Sequence, residues 1–224
     1  LLAHVREPII QRCSDPKPLQ RLVSGLKSLE KSPPRIGEAL ATDCVRQTKQ
    51  LEAIVTHGRL GEAIRLYGPA GPLVFLNPTE WVQAGQDIYH QAIARCGART
   101  YAVAPERKDR SWGALAVAGH LSYVERLPET HFRVVTLWRA TLTMAALKLH
   151  KVEHGAYPDS LEALVPGYLD SVPQDPFGGK PLKYRREGNS YVLYSIGPDL
   201  TDDGGAKGDR PGDTRAADLT FWPE

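Results

Sequence analysis

From Glu129 to His154 the chain carries neither proline nor glycine, although the sequence holds 18 prolines and 20 glycines elsewhere. Over that span Val134, Trp138, Leu142, Ala145, Leu149 and Val152 recur at intervals of three and four, the period of one helix face. A helix of this length, stopped by Gly155, needs an apolar surface to lie on, and the following residues supply one. Asp159 or Ser160 is placed to cap a short helix over 161–165, with Glu162 in its first turn. Tyr168-Leu169 closes over the apolar side, and residues 173–179 turn the chain. Segments 180–186 and 190–196 predict two strands joined around Glu187-Gly188-Asn189, a short glycine-containing hairpin loop. The expected fold class is therefore α+β. A mostly helical N-terminal region leads into a long helix packed on a small antiparallel sheet, and an acidic, glycine-rich loop over 197–218 closes the chain.

The boundary between the two regions is placed at Pro128-Glu129-Thr130, giving 1–128 and 129–224. In the first region Leu19, Leu22, Val23, Leu26 and Leu29 form an apolar stripe on a helix that Ser32-Pro33-Pro34 breaks. A second helix is expected over about 36–54, with Ile36, Leu40, Cys44, Leu51, Ile54 and Val55 inward and Gly58 just past its end. Residues 68–72 read as a loop, 73–76 as a short strand or a buried connector, and 101–104 as a strand. Asn77-Pro78-Thr79-Glu80 has the signature of a helix start, with Asn77 as cap and Pro78 in the first helical position. That helix should run to Cys96, with Gly97 as its stop. Another, over 113–123, should end before Pro128.

Charge narrows the partners. Lys and Arg number 28 against 26 Asp and Glu, a formal charge of +2. That balance gives no case for nucleic acid or an anionic membrane surface as partner. No stretch approaches the roughly 20 apolar residues of a membrane span, and no signal peptide is visible. Membrane attachment is thus expected only through a segment absent from this chain. Cys13, Cys44 and Cys96 lack zinc-type spacing and read as reduced, buried thiols, with one disulfide plus a free thiol as the alternative.

No nucleophile elbow or phosphate loop is present, and no catalytic residue is assigned. His150 and His154 stand at i and i+4, but Lys151 occupies the place where a zinc protease carries glutamate, and the pair reads as a helix-terminal surface feature. The expectation is a non-enzymatic structural or interaction protein. The alternative is an enzyme or ligand-binding module, for which a cleft lined by Trp81, Tyr89, Trp112 and His120 would speak.

A further series of short motifs runs in order along the second region: His154-Gly155-Ala156-Tyr157-Pro158, Leu161-Glu162-Ala163-Leu164, Tyr168-Leu169, then Val172-Pro173-Gln174-Asp175-Pro176-Phe177-Gly178-Gly179. Tyr194-Ser195-Ile196-Gly197-Pro198-Asp199 and Ala217-Asp218-Leu219 follow, with Trp222 close behind. This succession resembles the globular domain of the major pseudopilins of type II secretion systems. About 130 unrelated residues precede it here, so a pseudopilin-type domain reused in another architecture is expected, with an atypical pseudopilin as the further alternative.

The resemblance implies one calcium ion in the closing loop, with Asp199 and Asp218 matching the family's paired aspartates. Asp202, Asp203, Asp209 and Asp213 add oxygens of the kind a hard cation takes, and glycines 204, 205, 208 and 212 let the backbone wrap a small ion. A solvated acidic turn neutralised by Lys207, Arg210 and Arg215 is the competing account. Calcium is the expected cofactor, with ligands from Asp199, Asp218, Asp202, Asp203 and Asp213. An extracytoplasmic or periplasmic, membrane-associated setting and a protein partner are expected with it.

Overall fold

The computed structural model describes residues 10, 12–30, 36–101, 112–205 and 218–221. Among these, six α-helices and a three-stranded antiparallel sheet make a mixed, mostly helical α+β fold. Contacts divide the chain into two units: Pro34–Ala98 with Ala102–His131, and Leu1–Pro33 with Arg99–Tyr101 and Phe132–Glu224.

The second of these units holds the region of the motif series. Helix α1 (Pro16–Glu30) belongs to it. The reason is its apolar stripe. Val23 joins Ala140, Ala146 and Leu147 in the main core, and Leu19 packs with Ile10 and Leu149. Burying side chains of this size contributes roughly 1.5–3 kcal/mol each, more than a short isolated helix can supply from its own hydrogen bonds. The contact division thus falls between His131 and Phe132 and gives the first 33 residues to the C-terminal unit, where the sequence had set a single boundary at 128/129.

The long helix begins earlier than expected, at Ser122, and runs to His154 with Pro128 inside it. We number it α6. Pro128 has no N–H to donate to the Val124 carbonyl, a loss of one ladder bond that the helix tolerates. The expected stripe is also only partly inward. Leu142, Ala145 and Leu149 are buried, but Val134 is 57% exposed. Instead, α6 is buried on every side from position 141 to 147. Threonine makes this tolerable, because the Thr136, Thr141 and Thr143 hydroxyls donate to the carbonyls of Phe132, Leu137 and Arg139 at 2.7–2.9 Å.

After α6, a 3-10 turn over Leu161–Leu164 leads to the hairpin of β1 (Lys183–Glu187) and β2 (Ser190–Ser195). These pair antiparallel, with Glu187 opposite Ser190 and Gly188 at φ +61° in the turn. Strand β3 (Leu219–Phe221) pairs on the other edge of β2, Leu219 opposite Ser195. Tyr191 and Leu193 enter the core with Tyr157, Leu161, Leu164 and Leu169. Val192 and Tyr194 are buried as well, because Gly205 lies against them. Gly205, in the described first part of the closing loop, therefore lies over the outer face of the central strand.

The other unit is helical. It contains α2 (Ile36–Thr56), α3 (Leu60–Tyr67), α4 (Pro78–Cys96) and α5 (Trp112–His120). Leu40, Cys44, Leu51 and Ile54 of α2 share its core with Trp81, Ile88, Tyr89 and Ala92 of α4. Asn77 caps α4 as expected, accepting from the Glu80 amide at 3.4 Å and donating to the Glu80 carboxylate at 2.9 Å. Residues 68–72 are not a loop and 73–76 not a strand, because Gly68–Phe75 forms a 3-10 helix against α3; of 73–76, Val74 is buried and Leu76 exposed. Tyr101 is not in a strand, and 102–104 lie outside the described residues. No helix among the described residues is long and apolar enough to cross a membrane.

Candidate cation site in the closing loop

The site starts from the turn that precedes β1. Asp175, 2% exposed, accepts from the Phe177 amide at 2.9 Å, the Ser195 hydroxyl at 2.8 Å and the Ile196 amide at 3.0 Å. It therefore ties the end of β2 to the 173–179 turn and sets where the chain departs into the loop. Gly197, at φ +70°, makes that departure. Asp175 belongs to the 172–179 motif but to no expected site. Its visible signal was the Asp-Pro-Phe turn, where aspartate typically accepts the amide two residues on.

Beyond Gly197 the expected carboxylates separate. Asp199 is exposed and accepts the Thr201 amide at 3.2 Å, a local turn. Asp202 is held by three groups: the Tyr194 hydroxyl at 3.1 Å, the Gly204 amide at 3.1 Å and the Lys183 ammonium at 3.0 Å. The Lys183 hydrogen bond leads in lowering its pKa, and burial beside Asp202 lifts the Tyr194 phenol to about 12. Asp203 is exposed. Asp209 and Asp213 lie outside the described residues.

Asp218 differs from all of these. It is 6% exposed and sits just before β3, its Oδ2 accepting the Gly205 amide at 2.7 Å. The other oxygen, Oδ1, is buried with no hydrogen-bond partner among the described residues. Burial pushes its pKa up, and the nearby charges of Asp202 and Asp203 add to that. Asp202, Asp203 and Asp218 are thus brought near one another, whereas Asp199 holds a local turn. A buried carboxylate oxygen without a hydrogen-bond donor is costly. A proton or a cation relieves that cost, and a hard cation takes carboxylate and carbonyl oxygens of this kind. Among the described residues no cluster of three or more His, Cys, Asp or Glu is spaced to hold a metal by itself.

In the helical unit, Trp81, Tyr89 and His120 do line a recess together with Tyr67, Cys44 and Val117. The side chain of Trp112 lies outside the described residues. The recess measures about 20 Å³, room for about one water molecule. Burial lowers the His120 pKa and lifts the Tyr67 phenol to about 12. Burial likewise raises the Cys44 and Cys96 thiols, which keeps them protonated and unreactive. The three cysteines form no disulfide.

No known protein family, characterised protein or solved structure matches the chain.

Proposed function

We propose that this chain is a non-enzymatic structural or interaction protein whose C-terminal part is a pseudopilin-like domain braced by calcium. It is the extracytoplasmic portion of a membrane-anchored protein, held through a segment outside this sequence, and it acts through a protein partner. The observation that carries the reading is the orphaned Oδ1 of Asp218. Asp218 would be the central ligand, with Asp202 and Asp203 beside it. Asp199 and Asp213 complete the set implied by the resemblance. Calcium there would supply the counter-charge that fixes the loop over β2. Millimolar external calcium saturates even a weak site of this kind, which favours an extracytoplasmic setting.

Thermal unfolding in calcium and in chelator tests the proposal. Calcium at a hundred times its dissociation constant should stabilise by about 2.7 kcal/mol, a rise of several degrees. Asp218→Asn should abolish that rise. The pH dependence carries its own sign. The folded pKa of Asp218 lies above the unfolded one. Without metal the native state therefore binds the extra proton, and stability falls as pH rises from the ordinary carboxylate value through the raised one. In chelator, Asp218→Asn should remove this fall and unfold no lower than the parent at neutral pH. An intact protein whose melting ignores both calcium and chelator would sink the proposal.

A further inference from the structure

At the C-terminal end of α6, His150 and His154 stand one turn apart with ring centroids 4.5 Å from each other. Each is held by a group that decides where its proton sits. Nδ1 of His150 lies 3.0 Å from the Ala156 carbonyl oxygen. A carbonyl only accepts, so in the neutral ring Nδ1 carries the hydrogen and Nε2 the lone pair. Nε2 of His154 lies 3.1 Å from the Tyr168 hydroxyl, whose own proton goes to the Glu153 carboxylate at 2.5 Å. With that proton committed, the phenol oxygen accepts from His154, so Nε2 carries the hydrogen and Nδ1 the lone pair. Glu153 is steadied in turn by the Gln20 amide at 3.4 Å.

This is the outer arrangement that metal-binding histidines show: the far ring nitrogen donates to a carbonyl or to a relay ending in a carboxylate. Such an arrangement fixes the tautomer and raises the basicity of the ligating nitrogen. Two imidazoles bound tetrahedrally at about 2.0–2.1 Å place their ring centres roughly 5 Å apart. The observed spacing is a little shorter, and His154 is exposed, so its ring can open the gap by a small rotation. Glu153 is engaged by Tyr168 and Gln20 and acts behind the ring. Lys151, on the adjoining face, lies over the Tyr157 ring at 4.4 Å and donates to the Asn189 carbonyl.

We propose that His150 and His154 form a two-nitrogen site for a borderline divalent transition-metal ion of the zinc type, with its remaining positions held by water. Imidazole suits such ions, and hard calcium does not compete for it. The site is separate from the closing loop, and its success or failure is independent of the calcium proposal.

The test is a Zn²⁺ titration of the full chain in excess calcium, followed by long-range ¹H–¹⁵N spectra of the histidine rings. Before zinc, His150 should show the Nδ1–H tautomer and His154 the Nε2–H tautomer. On addition, Nε2 of His150 and Nδ1 of His154 should shift together with one stoichiometry. Tyr168→Phe keeps the aromatic ring beside His150 and removes only the relay, so zinc should bind about tenfold more weakly. His154→Gln, at an exposed position, should leave melting unchanged and weaken zinc by more than about tenfold. Zinc affinity unchanged in His154→Gln, reversed tautomers, or zinc shifts at other histidines would each overturn the proposal.

Discussion

Asp175→Ala is expected to lower the stability of the C-terminal unit by about 3 kcal/mol, since it strands the buried Phe177 amide and Ser195 hydroxyl and takes the acceptor from the part-buried Ile196 amide. Each buried donor left without an acceptor costs roughly 1–3 kcal/mol, and the Phe177 amide and Ser195 hydroxyl lie in buried surroundings. Equilibrium urea unfolding should show a midpoint lower by about 1–2 M. Asp175→Asn keeps one carbonyl acceptor but presents an amide N–H₂ to a donor, so it should fall between the parent and the alanine variant. A midpoint loss in Asp175→Ala no larger than that of an ordinary surface substitution would show that the carboxylate does not hold the strand end.

The second large effect is expected at Gly71, in the helical unit. A Cβ there would lie 2.3 Å from the Ala63 carbonyl oxygen, 2.5 Å from its carbon and 2.7 Å from the Ile64 nitrogen. These are backbone atoms of α3, which cannot swing aside as a side chain could. Gly71→Ala must push the 3-10 segment off α3, at a cost near the upper end of overpacking, about 3 kcal/mol. The control has the opposite sign. Gly25, inside α1, has nothing within 4 Å of a built Cβ, so Gly25→Ala should stabilise by roughly 0.5–1 kcal/mol. Melting temperatures of the two variants should move in opposite directions, and a Gly71→Ala protein that melts like the parent would refute the close approach.

What could be read from the residues divides along physical lines. Local chemistry was legible. The Asn77 cap, the Gly188 turn and the two hairpin strands depend on near neighbours, and the structure places them where the spacing predicts. Legibility failed where the deciding partner is remote. Nothing inside the stripe of Leu19 and Val23 says which core receives it, and it went to the unit more than a hundred residues downstream. Periodicity also presumes that polar residues face water. Thr141 and Thr143 satisfy their hydroxyls on their own helix, so α6 is buried all round over 141–147, while Val134 is left outside. In the loop, residue type made all the aspartates equal. Only the packing of β3 beside β2 separates a buried Asp218 from an exposed Asp199 fixed on Thr201.

The placement of α1 has a consequence for how the molecule is made. Lys27 pairs with Asp170 across 143 positions of chain, and Gln20 reaches Glu153 across 133. At ribosomal speeds of roughly 5–20 residues per second, α1 waits on the order of ten seconds for its partners to be synthesised. During that interval the helical unit, complete in sequence by His131, can close first. The apolar stripe of α1 stays unburied until the last third of the chain arrives. That makes α1 the nascent segment most in need of a chaperone and the one most prone to associate with a neighbouring copy.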